Sequence, residues 1–94
     1  MNEQKELKLK INDSELKGTY ANHVGIMHTG EEFILDFISM LPPEAIVNSR
    51  IITSPTALKR MYNAIGMNIS KYEDRYGEIE VENSSSNDFD ENLN

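Results

Sequence analysis

Two rhythms of apolar residues divide this chain. From Leu58 onward the apolar positions Leu58, Tyr62, Ile65, Ile69, Tyr72 and Tyr76 follow gaps of 4, 3, 4, 3 and 4, the spacing that draws one stripe along a helix. Lys59, Arg60, Asn63, Ser70, Glu73 and Asp74 fall away from that stripe. Both ends are punctuated. Ser54 offers a side-chain oxygen to the first free amides, and Pro55 stands at the first helical position, where a missing N–H costs nothing. Gly77 supplies a residue able to end a helix at positive φ, and Lys71 and Arg75 place cations near the negative end of the helix dipole. The pattern predicts one helix over residues 54–77 whose stripe demands burial. Gly66, inside it, costs about 1 kcal/mol relative to alanine; a solvent-facing site, a close approach to a strand or a helix-to-helix contact with a second copy accommodates it.

Upstream the rhythm is two, the signature of strands. Leu7, Leu9 and Ile11 alternate with Lys8 and Lys10, predicting a short, lysine-bearing edge strand over residues 7–11. A second strand is expected over 19–28, a tight turn at Thr29-Gly30, and a third strand over 32–39 that is apolar on both sides. Pro42 and Pro43 cannot donate to a ladder, so residues 40–44 read as a stiff loop, and a fourth strand follows over 45–53. The turn at Thr29-Gly30 sets Val24 against Leu35, Ile26 against Phe33 and His23 against Asp36. A loop centred on Pro43 sets Leu35 against Ile51 and Asp36 against Arg50. One sheet face then gathers Tyr20, Val24, Ile26, Phe33, Leu35, Phe37 and Ile51, where the helix stripe is expected to dock.

Composition alters this picture chiefly at the C-terminus. The 94 residues carry 16 acidic and 9 basic side chains for a net charge of −7. Six of the acids lie after Gly77 with no base among them, leaving 10 acids against 9 bases in residues 1–77. The folded part is therefore nearly neutral and has no general attraction for a phosphate backbone. Residues 1–6 read as a flexible N-terminus, 7–80 as a single domain and 81–94 as an acidic disordered tail. Residues 78–82 offer a brief further strand, and Phe89 and Leu93 among acids a short docking motif. Cysteine is absent, which removes a disulfide frame and a thiolate nucleophile and suits a reducing, cytoplasmic setting. No apolar run approaches the roughly 20 residues that span a bilayer.

The candidate chemistry is sparse. The expected register lines up His23, Asp36 and Arg50 on the second sheet face, among Ile34, Ile38, Ile46 and Ile52. An ion pair in such an apolar patch adds little stability but fixes how partners register, so these seven residues are the candidate interface or binding surface. Catalysis by His23 oriented by Asp36 lacks a nucleophile. Two histidines, five positions apart on one strand, do not make a metal site. The five glycines are too dispersed to cradle a phosphate, and no cofactor is expected. Lys59, Arg60, Lys71 and Arg75 form a candidate basic stripe on the helix.

Several separate motifs resemble a known family in order and spacing. They are Tyr20-Ala21-Asn22, the run from His28 to Phe37, Pro42-Pro43, Ser49-Arg50-Ile51, Ser54-Pro55, Lys59-Arg60, the run from Asn68 to Glu73, and Tyr76-Gly77-Glu78-Ile79. Together they cover roughly residues 5–80 and are similar to an uncharacterised bacterial and archaeal family, domain of unknown function three-four-six-seven. That resemblance implies no activity, ligand or catalytic residue. Strands followed by a long helix are also similar in element order to the export chaperone SecB, whose sheets and helices build an oligomer.

The expectation is thus an α+β fold: a four-stranded, mainly antiparallel meander followed by one long C-terminal helix packed on one sheet face. The expected function is that of a small cytoplasmic, non-enzymatic protein-interaction module that self-associates as a homodimer or higher homo-oligomer. The alternatives are a nucleic-acid-associated regulator using the helix cations and a SecB-like surface for unfolded clients.

Overall fold

A computed structural model describes residues 6–82. A 3-10 turn at Asp13–Glu15 precedes strands β1 (His23–His28), β2 (Phe33–Leu41) and β3 (Glu44–Thr53) and helix α1 (Pro55–Tyr76). The strands form an antiparallel meander in the order β1-β2-β3. The fold is α+β with three strands rather than the expected four. Residues 7–11 join no ladder, and the side chains of Leu7 and Leu9 stand 97 % and 100 % exposed. Alternation makes a strand only when an edge is there to pair with it, and within this chain none takes up that segment. Residues 78–82 form no strand either. The expected frayed residues 1–5 and the acidic stretch 83–94, with Phe89 and Leu93, lie outside the described residues.

The β1–β2 register differs from the expected one by two residues. His28 pairs with Phe33, Ile26 with Leu35, Gly25 with Asp36 and His23 with Ile38. The cause lies in the turn, which is centred on Gly30-Glu31 instead of Thr29-Gly30. The Thr29 hydroxyl accepts the N–H groups of Glu31 and Glu32, each at 3.1 Å, and the Thr29 N–H donates to the Glu32 carbonyl. A side chain that caps its own turn moves the hairpin centre by one position and the register by two. Because the shift is even, every side chain keeps its face.

Between β2 and β3 the expected pairs Leu35–Ile51 and Asp36–Arg50 are present. The register then slips at Phe37/Ile38: Phe37 faces Ser49, but Ile38 faces Val47, leaving Asn48 as an extra residue on β3. Asn48 uses its freedom to donate from Nδ2 to the Tyr20 carbonyl at 2.7 Å. Asn22 prolongs β1 with a side chain: Oδ1 accepts from the Met40 N–H at 2.8 Å, and the Asn22 N–H donates to the Ile38 carbonyl. Two asparagines thus tie the segment before β1 to both later strands. The proline loop is tighter than expected, with Leu41 paired to Glu44 across a cis Pro42-Pro43 bond.

Helix α1 begins and ends where the sequence marks it. Ser54 Oγ accepts from the Ala57 N–H at 3.1 Å with Pro55 in the first turn, and Gly77 closes the helix at φ 101°. Its expected docking on the sheet does not occur within the chain. No helix residue is buried; Ala57, Leu58 and Met61 are half-covered, and beyond them only Glu73 is. Leu35 and Ile38, both on the central strand, are the only buried hydrophobic side chains among the described residues. None of the described helices is long and apolar enough to cross a membrane.

Candidate functional site

The central strand β2 places Ile34, Asp36 and Ile38 on one face by simple alternation. Arg50 lies directly opposite Asp36 on β3, Ile52 opposite Ile34 and Val47 opposite Ile38, while Gly25, Met27 and His23 lie opposite the same three β2 residues on β1. His23 is therefore on the Asp36 face as expected, but it pairs with Ile38 and stands diagonal to Asp36 instead of opposite it. Ile46 leaves this face. The extra residue Asn48 reverses the alternation below it, so Ile46 faces Ser39 on the other side and Val47 takes its place. Five of the seven candidate residues keep the expected arrangement, His23 is displaced along the strand, and Ile46 is not part of the cluster.

The ion pair is well formed. Arg50 Nε donates to Asp36 Oδ1 at 2.7 Å and a terminal guanidinium nitrogen to Oδ2 at 2.8 Å, a two-point contact. Asp36 is 6 % exposed, whereas the Arg50 side chain runs out toward water. The Arg50 hydrogen bonds hold the Asp36 carboxyl below its ordinary value, outweighing burial, which pushes the other way, and the guanidinium charge adds to the lowering. The same contact holds Arg50 above its ordinary value. With both oxygens occupied and the acid kept ionised, Asp36 suits registering β3 against β2 better than accepting a proton from a substrate. Among the described residues, no three His, Cys, Asp or Glu side chains gather as metal ligands do.

More unusual is the amount of apolar surface left uncovered. On α1, Ile65 and Ile69 lie between two open grooves. One, of 490 Å³, is bounded by Ala64, Asn68, Tyr72 and Ile79; the other, of 400 Å³, by Tyr62, Gly66 and Met67. Ile79 reaches the first groove because Gly77 turns the chain back, and its N–H donates to the Glu73 carboxylate at 3.0 Å. Tyr72 lies against Tyr76 with ring centres 4.9 Å apart and planes tilted by 46°, and Arg75 lies over the Tyr76 ring. On the Leu35 face of the sheet, Ile26, Ile46, Ile51 and Leu41 are all exposed.

The four helix cations are exposed but do not make one row. At roughly 100° per residue, Arg60, Lys71 and Arg75 fall within about 60° of one another, whereas Lys59 lies about 100° from Arg60.

Sequence reading missed the roles of Asn22, Asn48, Val47 and Ile79. An asparagine inside a predicted strand is a signal of irregular pairing, since strands are depleted in it. An apolar residue just beyond a helix-closing glycine commonly packs back on the last turns. Those two signals point to Asn22, Asn48 and Ile79; nothing in the pattern distinguishes Val47.

Meander, cross-strand ion pair and amphipathic terminal helix together define a small α+β protein with its apolar surfaces on the outside. The chain belongs to the family described as Protein of unknown function (DUF3467), whose model matches residues 1–81. No curated protein and no solved structure matches the chain.

Proposed function

We propose that this protein is a non-enzymatic interaction module that works as a self-associated assembly of two or more copies. One observation carries the reading: among the described residues Leu35 and Ile38 are the only buried hydrophobic side chains, while the helix stripe beyond Leu58 and much of the Leu35 face stay open to water. Monomeric soluble proteins seldom leave contiguous apolar surface on that scale unless something covers it. The Asp36–Arg50 pair supports the same reading, because it fixes the sheet register on which a repeatable contact depends. Light scattering of the full chain at micromolar concentration tests it: a mass of at least two copies is expected, and a strict monomer overturns it. A client-binding chaperone starts from the same exposed surface but keeps it open after assembly. Uptake of a hydrophobic dye by the assembled protein separates the two, and the proposed module takes up little.

A further inference from the structure

Resting on that reading, we infer that the copies pair by exchanging helices, with α1 of each lying along the Leu35 face of the other. The junction between sheet and helix is the first reason. β3 ends at Thr53 and α1 starts at Pro55, so Ser54 alone connects them. Ser54 is extended (φ −84°, ψ 159°), its hydroxyl and carbonyl are engaged by Ala57 and Leu58, and the following proline excludes the helical conformation there. A helix that folds back on its own sheet commonly needs a connection of roughly 2–6 residues. This connection is one residue long, and beyond Met61 the stripe stays exposed.

The second reason is fit. A helix of 22 residues is about 33 Å long, and strands of 9 and 10 residues run for about 30 Å. The stripe and the face therefore match end to end. Three tyrosines of the helix, Tyr62, Tyr72 and Tyr76, are half or more exposed. With Ile65 and Ile69, and with Ile26 and Ile51 on the sheet, they give roughly 800 Å² of coverable surface per copy, the amount a standard interface buries.

The third reason is number. A two-fold dimer brings one helix for each Leu35 face and closes there, while Val47 and Ile52 stay exposed on the opposite face. Helix-to-helix pairing leaves both sheet faces wet, and pairing of sheets leaves both helices wet.

The test mixes two full-length variants altered only at residues exposed in the single chain. Ile65→Asp with Ile69→Asp damages the helix, and Ile26→Asp with Ile51→Asp damages the face. Exchange predicts that each variant alone dimerises roughly a hundredfold more weakly than wild type, and that mixing them restores a heterodimer, because the intact helix of one meets the intact face of the other. Loss of dimer in the helix variant alone, without rescue on mixing, overturns exchange and leaves self-association standing. A monomeric wild type overturns both. Should either variant lack the wild-type circular dichroism, a photo-crosslinker at position 69 in a mixture of isotopically light and heavy copies decides instead. Links to residues 23–53 of the other copy support exchange; links to residues 55–76 of the other copy, or within one copy, overturn it.

Discussion

If the uncovered stripe and face are dry only in an assembly, the protein melts at a temperature set by its own concentration. Two copies of residues 6–82 unfold with an enthalpy of about 110 kcal/mol near about 60 °C, at roughly 0.7 kcal/mol per residue. For a species that dissociates as it unfolds, each tenfold rise in concentration is worth ~1.4 kcal/mol at 25 °C. Against that enthalpy it raises the midpoint by about 5 °C. The single chain has little to oppose this, since only Leu35 and Ile38 are buried among its described hydrophobic residues. Thermal scans followed by circular dichroism from about 1 to about 100 µM should therefore show a rise near 10 °C. A midpoint constant across that range refutes the reasoning, because it means that the chain completes its core without a second copy.

Other consequences are local. Arg50→Ala leaves the buried Asp36 carboxylate without its donors, so urea midpoints should fall more at pH 7 than at pH 3. The sign follows from the depressed folded value. The contribution of Asp36 is fully present above its unfolded value near 3.8 and is lost as pH falls below that value; an equal loss at both pH values counts against it. Asn48→Ala frees the Tyr20 carbonyl and should cost about 1 kcal/mol, with faster amide exchange confined to residues before β1; unchanged exchange there removes the role given to Asn48. Gly77→Ala should cost roughly 1–3 kcal/mol because φ 101° with ψ 166° is a glycine conformation. Gly66→Ala, with open space where a Cβ would stand, should gain up to about 1 kcal/mol from helix propensity. A loss at Gly66 instead places that position under a partner.

Different parts of the structure were legible to different depths. The helix ends were readable to the residue, because Ser54, Pro55 and Gly77 each act within one turn of themselves. The Asp36–Arg50 pairing was expected from a loop centred on Pro43; the turn is tighter, pairing Leu41 with Glu44, and the extra residue Asn48 restores the expected pairs beyond it. Hydrophobic matching was insufficient at Thr29, where two registers differing by two residues bury the same faces and only the Thr29 hydroxyl decides between them. It was also insufficient beyond Phe37, where a single extra residue, Asn48, carries Val47 onto the ion-pair face and Ile46 off it.

Docking of the helix failed as an expectation for a deeper reason. A stripe from Leu58 to Tyr76 and an apolar face around Leu35 state that two surfaces avoid water, and burial free energy is nearly indifferent to whether they meet in one chain or across two. What decides is the tether. A loop of several residues after Thr53 makes the contact within the chain far more probable, through a high effective concentration. Ser54 alone, extended and followed by Pro55, removes that advantage; on the proposed reading, association of copies then closes the core. Inserting a flexible segment of about six residues between Thr53 and Ser54 should therefore convert the protein to a monomer with its own helix on its own sheet. Light scattering reads the mass, and an insertion variant that remains a dimer of wild-type affinity shows that the junction is not what keeps helix and sheet apart.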